Sequence, residues 1–255
     1  MPENLKSRVR NYWESEPCGT GGDITGNFVE GTPGWYQRIE EHRYNVEPFI
    51  HSVAQFTRHR GKKILEVGVG AGTDHLQWAR AGAECYGVDL TDAAIRTTAD
   101  HLRHHNLSSH LTRMDAEALP FDNDSFDLVY SWGVIHHTEN PEKIIDEIRR
   151  VLRPEGVFIG MMYSRHSLVA VRLWIAHALL KGRPFRSLRE VVWNHMESLG
   201  TKAYTIDELK NMFRAFRHFQ AVPILTTYDV VGWPRWLTRF FPEEWGWFIS
   251  IQAEK

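Results

Sequence analysis

The sequence predicts an α/β fold built on a largely parallel sheet, and three observations predict it. Residues 62–89 run strand, glycine turn, helix, strand and acid. Short apolar strands then alternate with helical patterns through residue 162, the order that builds a layered α/β domain. Gly, Pro and Asp clusters punctuate the boundaries, as at residues 120–125 and 153–156.

Ile64, Leu65 and Val67 read as the first buried strand, with Gly68, Gly70 and Gly72 directly after it. A helix follows over residues 74–80, stopped by Gly82. The second strand, 85–88, ends on Asp89. This is the order of a nucleotide-binding βαβ unit, and Asp89 stands where an acid accepts hydrogen bonds from two ribose hydroxyls. The dinucleotide fingerprint G-x-G-x-x-G seats a pyrophosphate. Here the spacing is G-x-G-x-G, and Glu66 stands two residues before the first glycine. A carboxylate at that point repels a pyrophosphate and suits a ligand with positive charge beside its ribose. S-adenosylmethionine (SAM) carries an ammonium and a sulfonium and no phosphate. The run Glu66-x-Gly68-x-Gly70-x-Gly72 resembles the signature loop of class I SAM-dependent methyltransferases, and the chain as a whole resembles their type 11 small-molecule group.

Beyond Asp89, Thr91 caps a helix with Ile95, Thr98, Ala99 and Leu102 on one face. His101, His104 and His105 share that helix at a spacing that suits a metal, but no carboxylate or Cys accompanies them. A solvated face is therefore expected there. Residues 111–114 read as strand three, followed by Asp115-Ala116. The resemblance implies that Asp115 binds the adenine amino group and that the Ala116 amide meets a ring nitrogen. It also places Leu90, Ser131 and Trp132 in the cofactor set. Strand four, 126–131, leads into a loop, 132–138, where His136 and His137 lie. Ligands of open α/β sheets sit outside the carboxyl ends of the strands. His137 is the first candidate for a base or acceptor-orienting group and His136 the second, with a loop-anchoring role as the alternative. Strand four ends without an acid, so no catalytic metal is expected.

Asn140 and Pro141 open a helix with Ile144, Ile145, Ile148, Val151 and Leu152 on its apolar face. Residues 153–156 turn into strand five, 157–162. The stretch 137–156 resembles the family's H-x(n)-E-x-x-R-V-L-x-P-G-G segment, with Glu155 at the usual first glycine, a change expected to affect only turn geometry. The resemblance implies a Rossmann-like seven-stranded sheet of order 3-2-1-4-5-7-6. Strand six falls near 219–225, and the last strand, 247–253, is antiparallel.

Residues 1–60 read as a helical, cofactor-covering segment and 61–255 as the SAM-binding domain, with a helical cap insert at 164–204. The segment contains helical patterns at 4–15 and 35–56, the second split at Pro48. In the family such a segment covers the methionine end of the cofactor. Tyr36 and Arg43 are candidates to reach the cofactor and Tyr12 to reach the acceptor, against a plain packing role. In the insert, residues 167–180 are apolar on nearly every face yet too short to span a bilayer. Arg165, Arg172, Lys181, Arg183, Arg186 and Arg189 accompany them with no acid before Glu190. Trp174 and Trp193 from the insert, and Trp233 and Trp236 from an aromatic stretch, are expected to line the acceptor pocket. Thr205 and Glu208 form a capping box for a helix before strand six.

Composition is that of an ordinary globular protein: 255 residues, 42% hydrophobic, 24% charged. The net charge of -2 provides no global attraction to nucleic acid. Cys18 and Cys85 form no C-x-x-C, so neither a disulfide framework nor a thiolate site is expected. No signal-peptide pattern or membrane-length apolar run is read, and a cytoplasmic setting is the default expectation. Of ten Trp, six lie after residue 170, which points to a large apolar surface in the last third. The expected function is SAM-dependent methyl transfer to a small apolar or amphipathic acceptor, anionic or lipid-like, with peripheral membrane contact through 165–189. The alternatives are an RNA or protein acceptor, which lacks a basic groove here, and a non-catalytic SAM-binding subunit. Glu66 disfavours an NAD-dependent reductase.

Overall fold

The computed structural model describes residues 4–255, apart from the Arg235 side chain. Residues 1–3 of the expected N-terminal segment lie outside the described residues. Seven strands form one sheet: β1 Lys63–Val67, β2 Glu84–Asp89, β3 His110–Arg113, β4 Phe126–Trp132, β5 Leu152–Tyr163, β6 Arg217–Ile224 and β7 Phe248–Glu254. Their order is β3-β2-β1-β4-β5-β7-β6, as expected. β7 runs antiparallel to both neighbours, and β1 to β5 are mutually parallel.

Helices α1 Leu5–Ser15, α2 Gly22–Thr25, α3 Pro33–Val46 and α4 Ile50–Ala54 precede the sheet, with the break between α3 and α4 at Pro48. α5 Thr73–Arg80 follows β1, α6 Asp92–His104 follows β2, and α7 Pro141–Val151 joins β4 to β5. α8 Leu168–His177 and α9 Leu188–His195 make up the insert. α10 Ile206–Met212 leads into β6, and α11 Thr227–Val230 and α12 Arg235–Thr238 lie between β6 and β7.

The central strands are apolar throughout because both faces are covered. Ile64, Leu128 and Tyr130 face one core with Leu76 and Trp78 of α5. Leu65, Val67 and Val129 face the other, where α7 lays down Ile144, Ile145, Ile148 and Val151. α1 is drawn onto α6 by Glu14, whose carboxylate accepts from Asp92 N at 2.9 Å and Ala93 N at 3.0 Å. A carboxylate on a helix N-terminus satisfies free N–H groups and meets the positive end of the dipole.

Two local expectations change. β5 begins at Leu152, because Phe126 pairs with Leu152 and Leu128 with Val157, leaving 153–156 as a bulge. Within it Glu155 takes φ +63, so the turn keeps a glycine-like geometry and a side chain bears the strain. Asn140 makes no side-chain cap on α7. Its amide donates instead to Glu117 Oε2 at 3.1 Å. The Thr205–Glu208 capping box is present.

Candidate active site

A cavity of about 520 Å³ opens at the carboxyl ends of β1, β2, β4 and β5, with α1 and α3 on its other side. Its floor is the turn after β1. Gly68 has φ +82, and a Cβ there would come within 2.2 Å of Val134 Cγ2. Only glycine lets β1 turn this close under the β4 loop. Gly72 has φ +76 and abuts Thr98 on α6, where a Cβ would meet the side chain at 2.9 Å. Gly68 and Gly70 line the cavity and Gly72 does not, so Gly72 shapes the turn from behind.

Asp89 is held at the end of β2. Its Oδ1 accepts from Thr91 N at 2.9 Å and Thr91 Oγ1 at 2.8 Å, and Oδ2 accepts from Gly70 N at 3.3 Å. Burial pushes its pKa up, and the bonds from Thr91 and Gly70 pull against that. Asp89 and Leu90 both line the cavity.

Glu66 also lines it, but it is not free to serve a ligand alone. His75 Nδ1 lies 3.0 Å from Glu66 Oε2, and His75 Nε2 lies 2.8 Å from Ser109 Oγ. Ser109 donates its own proton to Cys85 O at 2.7 Å, so it accepts from His75 Nε2–H. Nδ1 and Glu66 therefore share one proton between them. Burial lifts Glu66 well above the usual carboxylate range and lowers His75 to about 4, which puts that proton on Glu66.

Arg43 reaches in from α3 and lines the cavity. It donates to Glu47 Oε1 at 2.9 Å and Asp74 Oδ2 at 2.8 Å. Tyr130 donates to Asp74 at 2.9 Å, and Trp132 Nε1 donates to Glu47 Oε2 at 2.8 Å. This buried network fixes α3 against β4 and α5 at the Glu66 end. Tyr36 is not part of it. Its ring stacks on His101 at 4.4 Å and its hydroxyl donates to Thr97 O at 3.1 Å, behind the cavity. Ser131 is wholly buried and donates to Val67 O at 3.0 Å, tying β4 to β1 rather than facing a ligand.

At the opposite end Asp115 and Ala116 line the cavity. Lys6 of α1 bonds Asp115 Oδ2 at 2.6 Å and Glu117 Oε2 at 3.0 Å. The N-terminal segment thus covers both ends, α3 over Glu66 and α1 over Asp115.

His136 and His137 part company. His136 is wholly buried, neither ring nitrogen has a partner, and its ring packs 3.8 Å from that of Tyr163. Burial, with His137 and Lys202 nearby, pushes its pKa well down. It is a neutral core residue, and the sequence-based assignment of a second catalytic role to it is corrected. His137 lines the cavity. Its Nδ1 lies 3.0 Å from both Ser198 Oγ and Thr201 Oγ1, and its Nε2 lies 3.2 Å from Glu197 Oε2. Tyr163 donates to Glu197 at 3.0 Å. The Glu197 side chain is 35% exposed against 4% for His137, so the carboxylate is the more open member. Glu197 also holds φ +39, a strained backbone of the kind that clusters at functional sites.

The acceptor-pocket tryptophans are misplaced in the sequence reading. Val169 and Arg172, one turn apart on α8, face the cavity. Trp174, two residues further, points the other way and donates to Arg186 O at 2.7 Å. Trp193 packs with Lys202 Nζ 5.0 Å from its ring centre. Trp233, Trp236 and Tyr12 are exposed and outside the lining. The chamber is built instead from Trp13, Met161, Met196, Tyr228, Trp247 and Phe248. Across the whole cavity eight Asp and Glu side chains, the protonated Glu66 among them, stand against four Lys and Arg side chains, an environment that favours a cationic ligand and disfavours phosphate.

The methyltransferase-domain family profile matches residues 65–160. A phthiotriol/phenolphthiotriol dimycocerosates methyltransferase of Mycobacterium leprae is 39% identical over 108 residues, covering 42% of this chain and 39% of that one. Matches to the first curated relatives span 39–50% of those proteins' length. Among solved structures, an S-adenosylmethionine-dependent methyltransferase of Mesorhizobium loti aligns with TM-score 0.59 at 18% identity, over 81% of this chain and 97% of that one. The [4+2]-cyclase SpnF aligns with TM-score 0.63 at 18% identity, over 100% of this chain and 98% of that one. The matched stretch covers the glycine turn and nearly all of the sheet from β1 to β5, so residues 65–160 are similar to the methyltransferase-domain family and the fold is that of its solved members.

Proposed function

We propose that this chain binds SAM across the glycine turn and transfers its methyl group to a small apolar or amphipathic acceptor with a hydroxyl to lose its proton. One observation carries the reading: a single cavity runs from the Asp89 turn to an aromatic chamber whose polar corner is Glu197, His137 and Tyr163. SAM supplies an activated methyl on a cationic sulfur. Asp89 holds ribose hydroxyls, and Asp115 and Ala116 take the adenine. Glu197 accepts the acceptor's proton, while Tyr163 and His137 hold the carboxylate in place. Trp247, Phe248 and Met161 keep water away and supply the apolar contact that orients the acceptor. The names of the mycobacterial relatives give phthiotriol and phenolphthiotriol dimycocerosates as their acceptors, which fits an apolar chamber.

Calorimetry with SAM is expected to show one site, and NAD none; the reverse would overturn the reading. A second reading comes from the cyclase alignment, since the same fold there bears a name for ring formation. Turnover of SAM with long-chain alcohols and phenols separates the two. Tight SAM binding with no methylated product across such a panel favours the non-methylating reading.

The raised Glu66 pKa makes a pH prediction. A carboxyl raised on folding stabilises the protein at low pH, and that contribution is lost as pH rises through its folded value. A cation bound beside Glu66 favours the carboxylate, so binding releases a proton. SAM affinity should therefore strengthen as pH climbs through the raised range, and Glu66→Gln should flatten the profile. Calorimetry in buffers of different ionisation enthalpy reads the proton directly.

The membrane contact narrows to one lobe. Arg165 and Arg189 pair with Glu208, Arg186 pairs with Glu190, and Arg172 donates to the carbonyls of Val231 and Tyr228. Those four serve the fold. Lys181 and Arg183 remain beside Leu180 and Phe185, which are 74% and 100% exposed. No helix among the described residues is long and apolar enough to cross a membrane. The lobe is proposed to dip into an anionic bilayer and present the cavity to a membrane-borne acceptor. Co-sedimentation with anionic vesicles should fall with added salt and with Phe185→Ser. Equal sedimentation with zwitterionic vesicles, or no effect of the substitution, counts against it.

A further inference from the structure

We propose that Glu40, His101 and His105 form a divalent-metal site that fastens α3 to α6, outside the cavity and behind its glycine turn. The sequence shows the histidines without a carboxylate, and the fold delivers the missing one from α3. One ligand atom from each of the three residues lies within 4.8 Å of the others. His101 lies in the last turn of α6, and His105, four residues on, is the cap residue at its C-terminal end. None of the three lines the cavity.

The state of His101 is what makes the cluster more than a chance grouping. The ring is wholly buried rather than solvated. Its Nδ1 lies 3.1 Å from the carbonyl of Ala71. A carbonyl only accepts, so Nδ1 carries the proton and Nε2 keeps its lone pair. Nε2 is buried without any partner. A metal-ligating imidazole is held in this way, its second ring nitrogen donating to a backbone carbonyl so that tautomer and aim are fixed. Stacking on Tyr36 locks the ring plane. A buried acceptor left unpaired is costly, and a metal would use it.

Arg80 of α5 now stands at the same place. It donates to Glu40 and lies 3.2 Å from His105 Nε2. The position therefore already holds one positive charge, and the Arg80 side chain is 35% exposed and can swing into solvent. Two imidazoles, one carboxylate and a water suit Zn²⁺ or Co²⁺. Glu40 lies one turn before Arg43 on α3, and Ala71 belongs to the glycine turn, so the metal would brace both.

The test uses the full chain stripped with chelator and titrated with Zn²⁺ by calorimetry and with Co²⁺ by visible absorption. The expected result is one equivalent bound, a raised Tm and tetrahedral or five-coordinate cobalt bands. His105 is exposed, so His105→Ala should fold normally and weaken binding by about tenfold or more. Arg80→Ala removes the competing cation and should tighten binding. The chain has 14 histidines, so an adventitious ion is a real competitor. Binding unchanged in His105→Ala, binding weakened in Arg80→Ala, or no bound equivalent in the parent protein would each overturn the proposal.

Discussion

Glu197→Gln is expected to lower kcat by about 10²–10³-fold with SAM affinity unchanged. The amide keeps the size and the bond from Tyr163 but cannot take a proton. The magnitude is that of removing a positioned base, with some rate retained because the reacting atoms are still held together. His137→Gln should cost less, since His137 is almost wholly buried behind Glu197 and acts by holding it. An unchanged Tm would show that the strained backbone at residue 197 tolerates the exchange. Full activity in Glu197→Gln would remove the carboxylate from the reaction and leave the chamber as a positioning device only.

The second large effect belongs to Asp89. Asp89→Ala should weaken SAM binding by about 10²–10⁴-fold, because two hydrogen bonds to a charged acceptor are worth about 1.5–3 kcal/mol each. The turn itself should survive. Thr91 still caps α6 through its own Oγ1, which accepts from Ala94 N at 3.3 Å, and Gly68 still donates to Val88 O at 2.7 Å. Calorimetry reads the loss, and an intact thermal transition shows that it is local. Unaltered affinity would mean that the ligand does not meet the end of β2, and the assignment of the cavity would fail with it.

What could be read from the sequence was whatever lies close along the chain. The glycine turn and Asp89 follow directly from strand ends, and the resemblance adds Leu90, Asp115, Ala116 and Trp132 at those ends; Gly68, Gly70 and these five residues line the cavity. The strand order came from the family resemblance, with which the repeating strand–helix rhythm of residues 62–163 agrees. What escaped depends on packing between distant elements. Glu197 follows α9 in the insert, and nothing local marks it as a partner of Tyr163 and His137. His101 reads as one of three surface histidines until Tyr36 covers it. Trp247 and Phe248 were recoverable in principle. An antiparallel β7 begins where β5 ends, with Phe248 paired to Tyr163, so its first residues must sit at the ligand end of the sheet. Trp174 failed for a simpler reason: an all-round apolar helix gives no periodicity from which to choose its inward face.

The Lys6 contact has a consequence for timing. With its ammonium on both Asp115 and Glu117, α1 is a latch across one mouth of the ligand channel. Under the proposed function, a nucleoside could reach or leave Asp115 only after that latch lifts. Departure of the spent cofactor would then set the pace of each cycle, and loosening the first helix would quicken turnover while slackening the grip on the nucleoside.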